Sequence, residues 1–177
     1  MKTPVLTTER LLLRPLYVSD AEVFYNNIGT DPEVARFMLW NMHESIEDTI
    51  EWLEFEESVH DNEEYYTWAI VIKENEKIIG SGGFKYSETE DLYEIGYDIM
   101  KEEWNKGYVT EFATAILDFA TDELGEEQVL GKHAIDNPAS GKVLKKAGFV
   151  YMGEGECYSF DGSRSFHCLQ YIYEKLK

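Results

Sequence analysis

The feature that most constrains this chain of 177 residues is a change of hydrophobic period partway along it. Three runs rich in β-forming residues lie between residues 65 and 100, and they predict three strands joined as a meander. Beyond residue 103, apolar residues recur at helical spacing, which predicts an amphipathic helix that ends near Gly125. This apolar stripe consists of Phe112, Ala115, Ile116, Phe119 and Ala120. The two periods together predict a mixed α/β fold.

The remaining elements follow from local start and stop signals. Residues 10–16 predict a short strand, and the capping boxes Ser19–Glu22 and Ser45–Asp48 predict two helices before the meander. The aromatic-rich segment 36–43 has no clear period, so we interpret it as a loop or a broken helix. With no repeat or linker, residues 1–177 are expected to form a single domain. The last predicted elements are a strand over 128–135, a short helix from Asn137-Pro138 to Gly148, and strands over about 150–158 and 165–174.

Composition limits the classes of partner. The chain has 35 acidic and 16 basic residues and a formal charge of −19, which disfavours nucleic acid and would attract a cationic substrate. The same charge also fits an ordinary solvated surface. No apolar run is long enough to span a membrane and the N-terminus has no apolar signal core, so we expect a cytoplasmic protein. Cys157 and Cys168 are too few for a disulfide framework, so both are predicted to be reduced packing residues, and no metal is expected.

The segment Glu103–Glu111 joins a predicted strand to the amphipathic helix. A compact loop at a helix start exposes unpaired backbone N–H groups and the positive end of the helix dipole, a combination that binds phosphate. Gly107 allows a positive φ, and Asn105 tolerates one better than most residues. A tight turn without a ligand would use the same residues. By contrast, the Gly-rich residues 80–83 lie in a β-forming stretch and are predicted to be a strand with a bulge.

Residues 104–111 resemble the coenzyme A pyrophosphate loop of the GNAT superfamily, and more narrowly that of its RimJ/RimL-like branch, in which Asn105 and Val109 of this chain are usually Gly and Ala. The branch acetylates ribosomal-protein N-termini and varied small amines. The resemblance implies an acetyl-CoA-dependent N-acetyltransferase with a single central mixed, mostly antiparallel sheet of about seven strands flanked by about four helices. Further similar motifs, in the same order, are residues 8–15, 92–97, 136–140 and 148–149.

The resemblance also implies where acetyl-CoA binds. The pantetheine arm is expected along a splayed strand edge that ends at Ile99 and Met100, and a backbone amide there is the expected oxyanion donor. Asn137 and Ser140 are expected at the pantetheine and thiol end. The pyrophosphate is expected on the amides of Asn105, Lys106, Gly107, Tyr108, Val109 and Thr110.

For the chemistry, Glu94 is the predicted general base, since superfamily members carry a Glu in a comparable place; the alternative is that it only orients substrate or pairs with Arg or Lys. Ser140 is the candidate to protonate the leaving sulfur or to position a water that does so. Leu144 occupies the position where many members have a catalytic Tyr, so that role does not carry over. Direct transfer in a ternary complex is preferred over a covalent enzyme intermediate.

The acceptor is predicted to be a primary amine, with a protein N-terminus, a polyamine, an aminoglycoside and an amino-acid derivative all open. The chain is expected to act as a monomer or homodimer. One alternative is a non-catalytic acyl-CoA-binding module; another, a Rossmann nucleotide enzyme, would require an early G-x-G-x-x-G motif that the chain lacks. The predicted acceptor side contributes Phe37, Met38, Trp40, Trp52 and Tyr158.

Overall fold

The computed structural model describes residues 2–175. A meander of three strands precedes residue 103, and helices and strands alternate after it, as the sequence predicts. Short 3₁₀ turns at Val18–Asp20 and Lys101–Glu103 and a π turn at Tyr25–Gly29 join some of them. The strands are β1 (Leu6–Thr7), β2 (Leu11–Arg14), β3 (Tyr65–Ile72), β4 (Lys77–Ser87), β5 (Leu92–Ile99), β6 (Gln128–Ala134), β7 (Val150–Tyr158) and β8 (Ser165–Glu174). The helices are α1 (Ala21–Phe24), α2 (Pro32–Ala35), α3 (Ile46–Ser58), α4 (Tyr108–Asp122) and α5 (Pro138–Lys146).

All eight strands form one sheet in the order β1-β2-β3-β4-β5-β6-β8-β7. Neighbouring strands are antiparallel except β5 and β6, which run parallel because α4 crosses between them. The prediction of a mixed, mostly antiparallel sheet is therefore confirmed. Within residues 2–175 there is one strand more than expected, the two-residue β1, and one helix more, the single turn α2. Asp31 caps α2 by accepting a hydrogen bond from the Glu33 amide.

The two faces of the sheet carry different helices. On one face, α4 and α5 bury a core in which Phe119 packs against aromatic rings of β3 and β4 and the fully enclosed Phe112 lies over Gly82 of β4. On the other face, α1 and α3 bury Phe24 and Leu53 against Ala69 and Val71 of β3. Consecutive residues of one strand therefore point toward different helix layers. This alternation decides which face each side chain of the candidate site occupies.

Strands β5 and β6 pair along only part of their length. Their register runs from Tyr93 opposite Val129 to Ile95 opposite Gly131 and then stops. Beyond that point β5 stays paired with β4, and β6 stays paired with β8. The two strands diverge, leaving residues 96–99 of β5 with one open edge, as the resemblance predicts.

The Gly-rich stretch 80–83 lies in β4, and the predicted strand with a bulge is confirmed. The register between β3 and β4 shifts next to Gly80, where Ile70 pairs with Gly80 and Val71 pairs with Ile78. A Cβ atom on Gly80 would lie 2.2 Å from the carbonyl oxygen of Asp98. No side chain fits there, so glycine allows β4 and β5 to approach at this point.

The first of the two predicted capping boxes needs correction. The first capping interaction does not use Ser19 and Glu22; the turn begins two residues earlier, where the Asp20 carboxylate accepts from the Tyr17 amide. Asp20 is held there by the Arg14 guanidinium, at 2.7 and 2.8 Å, a partner outside the capping box. The second capping box is confirmed, with Asp48 accepting from the Ser45 amide at 3.0 Å.

The prediction that Cys157 and Cys168 are reduced packing residues is wrong. They form a disulfide between β7 and β8, with the two Cα atoms 6.1 Å apart. The antiparallel hairpin aligns Gly155 with Cys168, which brings Cys157 to a diagonal position within disulfide range. A spacing of eleven residues carries no such signal until the hairpin register is known. No helix within the described residues 2–175 is long and apolar enough to cross a membrane.

Candidate functional site

The loop between β5 and α4 has the backbone geometry of an anion site. Asn105 and Gly107 both have positive φ, 63° and 83°, and Gly107 is the N-cap of α4. Within residues 2–175, the backbone amides of residues 105–110 find no hydrogen-bond acceptor. They lie at the positive end of a 15-residue helix. Six donors without a partner at a helix start suit a diphosphate, whose oxygens supply the missing acceptors.

Ion pairs fix the start of this loop. Glu103 is buried, and its carboxylate forms ion pairs with Lys77 Nζ at 2.8 Å and with Lys106 Nζ at 2.9 Å. These two ammonium groups lower the pKa of Glu103. The indole Nε1 of Trp104 donates to the Ile99 carbonyl at 2.9 Å, which ties the loop back to the end of β5.

A second clamp comes from the N-terminal segment. The guanidinium of Arg10 binds the Glu111 carboxylate at 2.6 Å, donates to the Lys106 carbonyl at 3.0 Å, and lies 4.5 Å above the Tyr108 ring. The Thr8 hydroxyl also donates to Glu111, at 2.6 Å. Burial acts to raise the pKa of Glu111, but these donors outweigh it and lower the pKa overall. Sequence reasoning placed Thr8 and Arg10 in an opening strand and missed this clamp, because about a hundred residues separate the partners.

The amides of Ile99 and Met100 point to opposite edges of β5. The Met100 amide donates to the Ile79 carbonyl of the neighbouring strand at 2.8 Å. Because successive amides of a strand point to opposite edges, the amides of Tyr97 and Ile99 point toward the splay. Of the two predicted oxyanion donors, only Ile99 thus directs its N–H into the opening, and Tyr97 offers a second.

Helix α5 closes the far side of the opening. Asn137 caps this helix by accepting from the Ser140 amide at 3.4 Å, and Pro138 occupies its first position. The Ser140 hydroxyl reaches across to the Tyr97 hydroxyl of β5 at 2.8 Å. Burial raises the pKa of Tyr97 to about 12, so the phenol stays protonated at neutral pH. Leu144, one turn further along α5, is fully buried in the core.

Glu94 has a cationic partner. Its carboxylate lies 3.0 Å from Lys132 Nζ of β6, and Lys132 also contacts Glu90 at 3.3 Å. The register places Glu94 opposite Leu130, where β5 and β6 are still paired and the edge is closed. This is the arrangement of the alternative interpretation, in which Glu94 pairs with Lys. Its role as the base stays a prediction, without support from this geometry.

A carboxylate that sequence reasoning did not select lies inside the open region. Asp98 accepts from the Ser81 amide at 3.0 Å and from the Ser81 hydroxyl at 2.9 Å. Burial, with a smaller effect from nearby Glu56, raises the pKa of Asp98 to about 6 despite these two hydrogen bonds. A single Asp in a strand pattern gives no sign of this, because the shift depends on which helix covers it.

Glu56 of α3 is a second buried acid. Only 2% of it is exposed, and its carboxylate accepts from Trp52 Nε1 at 2.9 Å, the Tyr65 hydroxyl at 3.0 Å and the Thr67 hydroxyl. Burial raises its pKa even so. Three donors inside the fold make Glu56 a fixed group beneath α3, with its hydrogen-bonding capacity largely used.

The predicted acceptor residues are only partly brought together. A groove of about 380 Å³ beside α3 includes Trp40 and Trp52, whereas Phe37, Met38 and Tyr158 do not line it. The tip of the β7–β8 hairpin closes this groove, and Arg164 holds the neighbouring loop by donating to the Trp40 carbonyl at 2.6 Å. The other aromatic and acidic lining residues are Phe55, Phe160, Asp48, Glu51 and Asp161.

Comparison with known proteins gives concordant matches. The sequence model of the acetyltransferase (GNAT) domain matches residues 10–150. YoaA of Bacillus subtilis, an uncharacterized N-acetyltransferase, is 28% identical over 164 residues, which cover 92% of each chain. Ribosomal-protein-S5-alanine acetyltransferase from Vibrio fischeri has the same fold, with a TM-score of 0.80 at 19% identity over 97% of this chain and 96% of that one. The ribosomal L7/L12 α-N-protein acetyltransferase RimL, solved with coenzyme A, has a TM-score of 0.81 at 16% identity over 98% of both chains.

Proposed function

Because the chain belongs to the GNAT acetyltransferase family, we propose that it transfers the acetyl group of acetyl-CoA to a primary amine. Membership makes it an acetyl-CoA-dependent acyltransferase. The observation that carries the finer proposal is the run of unpartnered amides over residues 105–110, beside the open edge of β5. The donors for a diphosphate and the edge for an amide-bearing arm lie in adjoining parts of one site.

The residues present fit acetyl-CoA in three places. The amides of residues 105–110 would hold the diphosphate, and the open edge of residues 96–99 would pair with the pantetheine amides. Ser140 would lie at the thiol end, because its hydroxyl crosses from α5 to β5. Asn137 supports this end as the cap that orders the first turn of α5. When bound, acetyl-CoA supplies a thioester whose carbonyl carbon accepts the amine.

The protein groups around that thioester suit direct acetyl transfer. The Ile99 amide points into the opening and can stabilise negative charge that develops on the carbonyl oxygen. The Ser140 hydroxyl can return a proton to the departing sulfur, and the Tyr97 hydroxyl bound to it keeps it oriented. The only two cysteines of the chain are joined to each other, so neither offers a free thiolate as an acyl carrier. We therefore propose transfer within a ternary complex.

A primary amine is protonated near neutral pH, and the negative charge of this protein would attract such a cation. Acetyl-CoA would contact the first turns of α4 and α5, so the acceptor would approach from the opposite face of the sheet, which carries α1 and α3. The aromatic and acidic groove beside α3 lies on that face, and the chain carries a formal charge of −19. The relative from Vibrio fischeri is described as acting on a ribosomal protein. A protein N-terminus or a small cationic amine is the acceptor class that we propose here.

A calorimetric titration with acetyl-CoA tests the carrying observation directly. S-Acetylpantetheine is the matched probe, because it keeps the thioester arm and lacks the diphosphate. We expect acetyl-CoA to bind and S-acetylpantetheine to bind at least tenfold more weakly. Equal affinity for the two probes would show that the loop does not bind the diphosphate, and no binding of acetyl-CoA would overturn the proposal.

Catalysis is tested by release of the coenzyme A thiol over a panel of N-terminal peptides, polyamines, aminoglycosides and amino-acid derivatives. Turnover with one class identifies the acceptor, and mass spectrometry should show a gain of one acetyl group on the amine. Tight binding of acetyl-CoA with no thiol release across the panel would instead indicate the non-catalytic acyl-CoA-binding module.

A further inference from the structure

We propose that Asp98 is the base that accepts the proton of the acceptor amine, the role that the sequence suggests for Glu94. This inference rests on the proposed function and assigns a residue to it. Four features carry the assignment: the position of Asp98 on the strand, the face toward which it points, its partners, and the way Glu94 is occupied.

The first feature is position along the open edge. Asp98 lies between Tyr97 and Ile99, the two residues whose amides point into the splay. Neighbouring strands lie ~4.8 Å apart, so an arm paired with this edge would lie about one strand spacing from β5. The Asp98 carboxylate leans toward β4, where Ser81 binds it. The amine would reach the carboxylate through a bridging water, an arrangement in which a general base can act.

The second feature is the face of the sheet. Asp98 pairs with Ser81, and Ser81 pairs with Ala69, a residue packed in the core under α1 and α3. Asp98 therefore points to the α1/α3 face. The loop of residues 105–110 begins α4, and Ser140 lies in α5, so the coenzyme A side of the site is the opposite face. An amine that enters from the α1/α3 face meets Asp98 before it meets the thioester.

The third feature is the charge around the carboxylate. The charged group that acts on it is Glu56, from α3. On its own strand, Glu94 lies four residues away and is paired with Lys132 of β6. On β4 it has only the neutral Ser81, and from β3 the Tyr65 hydroxyl faces Glu56. No cation contacts Asp98 within residues 2–175, so its pKa, raised to about 6 by burial, lies close to neutrality. A base with a pKa near the working pH combines an ionised form with useful basicity.

Glu94 lies on the same face of the sheet as Asp98, but it differs in its position along the strand and in its charged partner. It lies three residues from Tyr97 and five from Ile99, which is ~10 to ~17 Å along the strand at 3.3–3.4 Å per residue. It occupies the closed part of the β5–β6 ladder, and its carboxylate is paired with Lys132 at 3.0 Å. A neighbouring ammonium stabilises the ionised carboxylate and makes it a weaker base. Asp98 is adjacent to both Tyr97 and Ile99, and it has no cationic partner within residues 2–175.

The proposed step balances as follows. The ammonium form of the amine gives one proton, through the water, to the Asp98 carboxylate, which becomes a carboxylic acid. The nitrogen lone pair then forms the C–N bond with the thioester carbonyl carbon, and the C–S bond breaks with its electron pair remaining on sulfur. The second proton passes from the nitrogen to Ser140 Oγ as the Ser140 hydroxyl gives its own proton to the sulfur, so the hydroxyl is regenerated and the free thiol forms. Asp98 afterwards releases its proton to solvent, so the products are the amide, the thiol and one proton.

The test compares Asp98→Asn, Ser81→Ala and Glu94→Gln in the full chain, each with the acceptor that the panel identifies. We expect Asp98→Asn to lower kcat by about 10²–10⁴-fold, to keep acetyl-CoA affinity within a few-fold, and to lose the acid limb of kcat/KM that we expect for the wild type near pH 6. Ser81→Ala removes a hydrogen bond to the carboxylate, so it should move that limb to higher pH. Glu94→Gln should keep the limb at its wild-type position.

Asp118→Asn is the matched control. Asp118 also has a pKa raised by burial, but it lies on α4 away from the splay, and its replacement should leave the profile unchanged. Asp98→Asn with kcat within threefold of the wild type, or a limb that Glu94→Gln alone removes, would overturn the inference while acetyl transfer itself stands. An Asp98→Asn protein that no longer binds acetyl-CoA, together with an unmoved limb in Ser81→Ala, would assign Asp98 a structural role instead. A wild-type chain that acetylates nothing would overturn the proposed function and this inference with it.

Discussion

Replacing Gly107 by alanine tests whether the shape of the loop is what binds coenzyme A. Gly107 has φ of 83°, in the left-handed region where a side chain costs about 1–2 kcal/mol. The nearest atom to an added Cβ is Arg10 Nη2 at 3.4 Å, so the change adds backbone strain without a severe clash. The perturbation is therefore almost purely conformational.

The strain is expected to appear in binding. The loop is exposed and its amides have no partner within residues 2–175, so in the free protein the alanine variant can relax to another conformation. Binding must then restore the strained one, which costs up to the same 1–2 kcal/mol. At about 1.4 kcal/mol per tenfold, the Kd for acetyl-CoA should rise about 5–30-fold. Isothermal titration calorimetry measures this change.

Gly125→Ala is the matched control. Gly125 has φ of 77° at the other end of α4, and an added Cβ would meet no atom within 4 Å. The two glycines are separated by a 15-residue helix, ~22 Å at 1.5 Å per residue. Gly125→Ala should lower Tm by about 2–8 °C and leave the Kd unchanged. If Gly107→Ala instead lowers Tm and leaves Kd unchanged, the loop does not need its left-handed residue to bind, and the reasoning fails.

Three further predictions concern stability. Phe112→Ala should lower the free energy of unfolding by about 3–5 kcal/mol, because its ring is fully buried against β4. Urea denaturation measures this change, and a loss under about 1 kcal/mol would contradict that packing. Glu111 has a lowered pKa in the folded protein, so its contribution to stability is present above its ordinary pKa of 4.5 and is lost as the pH falls. Glu111→Gln should therefore flatten the acid side of a plot of unfolding free energy against pH. An unchanged slope would argue against the Arg10 clamp. Asp98 is the opposite case, with a pKa raised from 3.8 to about 6, so its own contribution to stability is fully present below pH 3.8 and is lost as the pH rises through 6. The difference of about 2.2 units at ~1.36 kcal/mol each gives up to about 3 kcal/mol, and Asp98→Asn should remove that loss when unfolding is compared at about pH 4 and pH 8; an equal loss in both proteins would contradict the raised pKa.

Much of the fold and the binding loop could be predicted from the sequence because their causes act over a few residues. The stripe that begins at Phe112 requires a helix with one buried face, and Gly107 and Asn105 permit the positive φ values that the structure has at both positions. Asn137 followed by Pro138 predicted the start of α5, where the structure has them. Each of these signals is complete within about one turn of chain.

Only the tertiary structure decided which charged groups meet. The Arg10–Glu111 pair joins residues about a hundred positions apart, and the disulfide between Cys157 and Cys168 depends on the register of one hairpin. Register also placed Lys132 beside Glu94, and it placed Asp98 beside Ser81 on the face that carries α1 and α3. The sequence by itself determined most of the helices and strands and the positive φ values of residues 105 and 107, because periodicity and capping are local. The partners, burial and pKa of each carboxylate come from strands and helices distant in the chain, so the choice between Glu94 and Asp98 needed the assembled sheet.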